Sequence, residues 1–377
     1  MLENNMISTI PDHIIDNAYK GKTTKDDALA LLQAPPFELF ELADRLRQET
    51  VGDTVTYVIN RNINFTDRCI GKCGFCAFKD SSGYLLNIED ILDKVEDAVE
   101  NNATEVCIQG GLLPDVDLSF YTNIIRSVKS EFPHISIHAF SPMEIYHAAK
   151  QSGISIEEAL LELKNAGLDT MPGTAAEILS DRVREKICPG KLNTAQWIEV
   201  ISKAHTTGIN TTATIMYGHI ETVEERIDHI MHVRDIQMKT GGITEFVPLP
   251  FMPYNNKIGQ EIIESGRYAT NGIDDLQIHA LARIILHTHV DNIQASWVKL
   301  GKKLAQVALH CGANDLGGTL MEEKISSSAG GKNGEIMSAE ELEWFIISSG
   351  RQAVQRNTIY NPIISSDSMK QIEVEIL

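Results

Sequence analysis

From about residue 50 onward the chain repeats one pattern, a short β-branched or apolar run followed by a longer amphipathic stretch, and eight such pairs can be counted. The strand candidates are 55–65, 105–109, 135–140, 168–171, 211–216, 244–249, 292–298 and a short final one at 313–316. The stretches between and after them include NIEDILDKVEDAVENN, SIEEALLELKNAG, DDLQIHALARIILHT and AEELEWFIISSGRQAVQ. They carry apolar residues at helical spacing, several with Asn, Ser, Thr or Asp ahead and Gly behind, as helix caps require. Strands alternating with helices give a parallel sheet with right-handed crossovers, and eight repeats close it into a barrel. The alternative, an open doubly wound sheet, is weakened because no G-x-G-x-x-G run follows the first strand. The expected fold class is α/β, a (β/α)8 TIM-type barrel.

Residues 1–50 precede the repeat and read as an N-terminal helical lead-in, with TTKDDALALLQA and PPFELFELADRLRQET separated by a proline pair. No low-complexity linker divides the remainder, so 51–377 is taken as one barrel with C-terminal helices, within the ~250 residues or more that such units reach. Charge removes some functions. The 33 Lys and Arg against 52 Asp and Glu leave a net charge of −19, a field that repels polyanions and argues against a nucleic-acid partner. No apolar run approaches the ~18 residues of a membrane span, and the opening MLENNMISTIPDHIID lacks the basic start and apolar stretch of a secretory signal. A cytoplasmic protein without a membrane partner is expected.

In a barrel of this kind chemistry sits on the loops that leave the carboxyl ends of the strands. Polar residues at those ends are a cysteine cluster after strand one, Gln109, Gly110 and Gly111 after strand two, and His138 and Ser141 after strand three. Thr174 and Glu177 follow strand four, Tyr217, His219 and Glu221 strand five, Glu245 strand six, Trp297 strand seven, and Asn314 and Asp315 strand eight. His138 and Tyr217 are the catalytic candidates, because an imidazole or a phenol at a strand end can relay a proton. Ser141, His219, Glu245, Asn314 and Asp315 are candidates for binding substrate.

The segment NFTDRCIGKCGFCAF holds Cys69, Cys73 and Cys76 in a C-x3-C-x2-C spacing. A closed zinc site takes four protein ligands, often as paired short spacings, and no second C-x2-C or H-x3-H pair is present. Iron–sulfur clusters are also held by thiolates, and three cysteines leave one iron of a 4Fe–4S cluster open to a substrate or cosubstrate. Cys107, Cys188 and Cys311 read as buried small hydrophobes.

A C-x3-C-x2-C loop after the first strand of an α/β barrel resembles the radical S-adenosylmethionine (SAM) superfamily. The resemblance implies one 4Fe–4S cluster on Cys69, Cys73 and Cys76, and SAM as the second cofactor. Phe75 matches the aromatic position that family members place against the adenine. Gln109, Gly110 and Gly111 stand where the superfamily has its glycine pair beside the methionyl amine. Glu177, in MPGTAAEIL, corresponds to a carboxylate near the SAM ribose or amine, and Arg182 and Arg184 to cations for the methionyl carboxylate.

Five further segments, IHAFSPMEI, PGTAAEIL, TTATIMYGH, TGGITEFVPL and GANDLGGTLMEE, resemble in order one branch of that superfamily, the tyrosine-dependent 4-hydroxyphenyl transferases of deazaflavin (FO) synthase. What this implies is an EC class 2.5 transferase. It would cleave the Cα–Cβ bond of L-tyrosine and join the 4-hydroxybenzyl fragment to 5-amino-6-(D-ribitylamino)uracil, releasing 2-iminoacetate, methionine and 5′-deoxyadenosine. An electron donor and a separate second radical SAM subunit of FO synthase are the implied partners, since 377 residues cannot hold two such barrels. One departure is that relatives read GGLHP after strand two, whereas this chain has Leu113 at the histidine position. Two alternatives stand beside this reading: a menaquinone-pathway radical SAM enzyme acting on a futalosine-type substrate, and a zinc- or cluster-stabilised binding protein.

Overall fold

The protein is described from a computed structural model covering residues 9–76, 83–266, 269–322, 330–331 and 333–363. Residues 1–8 of the lead-in, 364–377 of the C-terminal region, and the last residues of NFTDRCIGKCGFCAF and GANDLGGTLMEE lie outside the described residues.

Nine strands occur among the described residues: β1 (Thr54–Val58), β2 (Asn60–Asn64), β3 (Glu105–Gln109), β4 (Ser136–Ala139), β5 (Thr170–Met171), β6 (Asn210–Tyr217), β7 (Ile243–Pro250), β8 (Asp315–Gly318) and β9 (Gln352–Gln355). β2 to β7 pair in sequence order, β1 lies between β8 and β9, and every one of these ladders is parallel. Two short links close the ring. Residues 292–295 bridge β7 to β8, through Phe246 with Ile293 and Gln294 with Asp315. Beyond β8, the Leu320 carbonyl accepts the Asn62 N–H at 2.9 Å, tying the end of the last barrel strand to β2.

The expected strand 55–65 is thus two strands broken at Ile59. β1 takes its partners from the end of the chain and β2 from β3, and between them side chains replace the ladder. Thr319 Oγ1 accepts the Asn60 N–H at 3.0 Å, and Asn60 Oδ1 accepts the Leu320 N–H at 3.0 Å. The expected strand 292–298 is reduced to bridges, because the chain turns at Ser296 into the short helix Trp297–Leu300. The last apolar stretch also divides. Its helix, Ala339–Ser348, ends before Gly350, whose φ of 77° suits glycine, and RQAVQ supplies β9 instead of more helix.

Outside the sheet, the helices follow their caps. Asn87 with Asp90, Ser141 with Glu144, Ser155 with Glu158, Asn193 with Gln196, and Thr222 with Glu225 form reciprocal capping boxes. The lead-in becomes three helices, Asp12–Tyr19, Lys25–Leu31 and Pro36–Val51. The third packs on the helix Gly272–Leu286 with Leu39, Ala43 and Leu46 fully buried, so it shares one core with the barrel.

Inside the ring the strands carry polar groups where barrels ordinarily pack Val, Ile and Leu. The lower layer is sealed by the segment after β9. Buried Arg356 donates to Asp315 at 2.7 Å, lies 3.9 Å from Glu245 and covers the Tyr360 ring at 4.0 Å. Beside it Thr358 meets Thr170 at 2.6 Å, and Thr170 meets His138 at 2.7 Å.

Candidate active site

The cysteine loop leaves β2 and is held on two sides among the described residues. The Gly74 N–H donates to the Ile187 carbonyl at 2.8 Å, and a small apolar cluster of Cys73, Ile187, Cys188, Ile258 and Ile262 packs beneath it. On its other side the glycine pair after β3 makes room. A Cβ on Gly110 would fall 2.5 Å from the Phe65 ring, and one on Gly111 would fall 2.1 Å from the Arg68 carbonyl oxygen and 2.9 Å from Cys69 Cβ. The glycines are required here by close packing of the loop against the end of β3.

Cys69, Cys73 and Cys76 share the wall of one cavity of about 760 Å³, with Gly110, Gly111, Glu144, His147 and Lys191 among the other lining residues. Cys69 Sγ accepts the N–H groups of Gly71 and Leu112, both at 3.3 Å. Burial pushes the Cys73 thiol up to about 11, with the Lys191 ammonium opposing, and a bound metal would take its proton's place. Among the described residues no three His, Cys, Asp or Glu side chains converge on the position of a single metal ion. Three thiols spread along one cavity wall fit a multi-iron cluster as a donor set.

A second cavity of about 300 Å³ opens from the barrel interior and meets the first at Cys76, Gln109, Thr174 and Glu177. At this junction Lys191 Nζ lies 2.6 Å from Glu177 Oε1 and 5.5 Å from the centre of the Phe75 ring. Burial alone would raise the Glu177 carboxyl, but the Lys191 ammonium overrides it and holds the group below the usual carboxylate range. Burial likewise opposes the Lys191 charge, and Glu177 holds it well above the usual ammonium range. The pair therefore presents one full charge of each sign between the cavities. Thr174 donates to Gln109 Oε1 at 2.9 Å and fixes that amide on the same wall.

The structure brings Phe75, Gln109, Gly110, Gly111, Glu177 and Ser141 to these two cavities with the three cysteines. Ser141 caps the helix Pro142–Ser152, and its partner Glu144 also accepts the Gly110 N–H at 3.0 Å. Arg182 is half-exposed, paired with Glu225 at 2.6 Å, and borders a third cavity of about 740 Å³ that also touches Lys72, Cys73 and Cys76. Arg184 is buried and spends its guanidinium on the carbonyls of Ala175, Ala176, Ile178 and Leu192, bracing the loop that carries Glu177.

The other candidates do not line the two cavities. His138, kept neutral by burial, belongs to the lower layer with Thr170, and Glu245 and Asp315 face Arg356 there. Asn314 accepts from Arg283 at 2.7 Å and donates to Asn292, joining the barrel to the helix Gly272–Leu286. Tyr217, raised well above the usual phenol range by burial and by Asp275, donates to Asp275 at 2.9 Å. His219 bonds the Met216 carbonyl and the Ile220 N–H within its own turn, beside Glu221. Cys188 and Cys311 are buried, while Cys107 lines the second cavity and its sulfur accepts from Gln109 at 3.3 Å. Sequence reasoning passed over Lys191, whose one local signal is the Pro189–Gly190 turn ahead of it. It also passed over Glu144 and His147, which sit on a helix face and look like ordinary capping and core residues. His147 Nε2 donates to the carbonyl of Leu113, the residue at the histidine position of relatives, at 2.8 Å.

Comparison with known proteins bears on the family and the fold. A profile of the Radical SAM superfamily matches residues 63–233, and one of the CofH/MqnC C-terminal region matches residues 240–369. The chain is 66% identical over 358 residues to the 5-amino-6-(D-ribitylamino)uracil–L-tyrosine 4-hydroxyphenyl transferase 1 of Methanosarcina barkeri, covering 95% of each. It is 63% identical to the transferase of that name from Methanococcoides burtonii, over 94% of this chain and 99% of that one. For the Archaeoglobus fulgidus transferase the identity is 59%, over 89% and 96%. Among solved structures, methylornithine synthase matches with a TM-score of 0.71 at 17% identity, over 90% of this chain and 97% of that chain. The FeFe-hydrogenase maturase HydG of Carboxydothermus hydrogenoformans also matches at 0.71, with 18% identity over 93% and 80%. At such identities the likeness concerns the fold alone.

Proposed function

The chain belongs to the 5-amino-6-(D-ribitylamino)uracil–L-tyrosine 4-hydroxyphenyl transferases of the radical SAM superfamily, and on that premise we infer that it performs their tyrosine-cleaving transfer. The substrates are L-tyrosine and the ribitylaminouracil. The 4-hydroxybenzyl group moves from one to the other, with 2-iminoacetate, methionine and 5′-deoxyadenosine released, as a step toward the deazaflavin FO. The observation that carries the reading is 66% identity across 95% of both chains.

Cys69, Cys73 and Cys76 would hold the 4Fe–4S cluster, and SAM would occupy the rest of the cavity they line. When bound, these cofactors supply one-electron reductive cleavage of SAM to the 5′-deoxyadenosyl radical. The chain's own groups bind and orient. The N–H groups of Gly71 and Leu112 hold the Cys69 sulfur in place on the cavity wall. Glu177 and Lys191 offer an amino acid's ammonium and carboxylate their opposite charges at a partly buried junction. Gln109, fixed by Thr174, adds an amide on the same wall, and Phe75 contributes an aromatic face. An electron donor and a separate second radical SAM enzyme, which closes the deazaflavin ring, complete the reading. No helix among the described residues is long and apolar enough to cross a membrane.

The test is anaerobic. The cluster is reconstituted, SAM and a reductant are added, and 5′-deoxyadenosine is assayed with tyrosine and the uracil, separately and together. Tyrosine-dependent product with a uracil–hydroxybenzyl adduct by mass spectrometry is expected. Deoxyadenosine that ignores tyrosine but appears with a futalosine-type substrate would transfer the protein to the menaquinone branch.

A further inference from the structure

We propose that the second cavity is the subsite for the ribitylaminouracil, read by Asn62, Asn64 and Ser296. The proposal rests on the transferase reading and adds to it the place and the contacts of one substrate. β2 has the sequence NRNIN, and strand alternation sends its three asparagines to one face while Ile63 packs into the apolar core. Asparagine is disfavoured in buried parallel strands. The Asn60 amide joins the Leu320 N–H to Glu105 in the lower layer. Asn62 and Asn64, above it, line the second cavity, in register with Cys107 and Gln109, which line it too. The Asn64 amide donates a long 3.4 Å bond to the Gln109 carbonyl. Across the cavity Ser296 is 6% exposed, and its side chain does not cap the helix that follows it.

Charge separates the substrates. Tyrosine and the methionyl end of SAM each carry an ammonium and a carboxylate, and the Glu177–Lys191 pair answers such groups at the junction. Among the described residues Glu177 is the only carboxylate lining the second cavity, and it stands on the shared wall. The rest of the polar lining is amides, the hydroxyls of Thr174 and Ser296, the thiols of Cys76 and Cys107, and Lys299. Amides donate and accept at once, which matches the imide edge of a neutral pyrimidinedione and the hydroxyls of a pentitol chain. A flat ring also has fixed surfaces to lie against. Trp297 is held by a 2.9 Å bond from its indole N–H to the Gly318 carbonyl, and Phe75 approaches from the cysteine loop. This arrangement puts the uracil on the barrel side of the junction, where the benzyl fragment is to be received.

The test uses the cluster-loaded enzyme with SAM, anaerobic, in Asn64→Ala and Ser296→Ala forms whose fold is checked by circular dichroism. Calorimetric titration with the ribitylaminouracil itself, without reductant, gives its affinity. Turnover then gives KM for the uracil and for tyrosine. Each lost hydrogen bond is expected to weaken uracil binding about tenfold and raise its KM alike, with KM for tyrosine within about twofold of wild type. Should one variant fail to fold, the other still decides. Unchanged uracil affinity, or a rise confined to the tyrosine KM, would overturn the subsite. A wild type that forms no tyrosine-dependent deoxyadenosine would instead overturn the transferase reading.

Discussion

Replacing Arg356 by methionine tests the polar seal beneath the cavities. The guanidinium is fully buried, 2.7 Å from Asp315 and 3.9 Å from Glu245, and it covers Tyr360. Methionine keeps most of the volume but leaves Asp315 and Glu245 facing each other without a cation. Removing one partner of a buried pair costs ~3–5 kcal/mol, a large share of the ~5–15 kcal/mol of a typical fold. Asp315 still keeps its bonds from Thr56 at 2.6 Å and the Gly317 N–H at 2.5 Å, which places the expected loss near the lower bound, ~3 kcal/mol. The Glu245 carboxyl already stands at about 7, raised by burial and by Asp315, with Arg356 opposing. Without Arg356 it rises further. A carboxyl whose folded value exceeds its unfolded one stabilises at low pH and loses that contribution as pH climbs through the folded value. The variant is therefore weakened more at pH 8 than at pH 6. The assay is urea unfolding of the apoprotein at both pH values, with Asp315→Asn and the double variant completing a cycle. A coupling of ~1–3 kcal/mol is expected. A loss below ~1 kcal/mol, or strictly additive single changes, would refute the argument.

Three further outcomes follow from the site. Alanine at Cys69, Cys73 or Cys76 should abolish SAM cleavage while the far-ultraviolet circular dichroism of the barrel persists, and turnover in any of the three would remove that cysteine from the cluster. Gly111→Ala drives a Cβ to 2.1 Å from a backbone oxygen that cannot swing away, so the cysteine loop must shift. Iron bound after reconstitution should fall and the apoprotein lose ~1–3 kcal/mol, whereas full iron content would show that the loop yields freely. Lys191→Met deprives Glu177 of its partner at 2.6 Å, and SAM affinity by equilibrium dialysis should fall about tenfold or more. Unchanged affinity would place the pair beyond the reach of SAM.

Much of the barrel was legible because its signals are local. Capping boxes at Ser141 and Thr222 mark helix starts, and β3, β4, β6 and β7 read as apolar runs of the right length. What escaped is what depends on remote partners. The break at Ile59 exists because β1 and β2 answer to different neighbours, and β9 is a strand only because β1 has an edge to offer it. The same limit governs the site. A polar residue at a strand end looks alike whether it faces a ligand or a distant piece of chain. His138, Glu245 and Asp315 have Thr358 and Arg356 beneath them, contacts that spacing does not reveal, whereas the cysteines, the glycine pair and Glu177 belong to local sequence patterns and stand together.

The position of β1 bears on how the chain is made. Its two neighbours are residues 315–318 and 352–355, so both of its edges wait for the far end of the polypeptide. At the ~5–20 residues per second of ribosomal synthesis, the interval before β9 emerges is roughly 15–60 s. Throughout it a nascent chain carries a bare strand containing Val55, Tyr57 and Val58, the kind of edge that seeks pairing with other chains. A message that stops before codon 352 would leave one of those edges open for good, and its product is expected to accumulate in aggregates even with the whole cysteine loop in place.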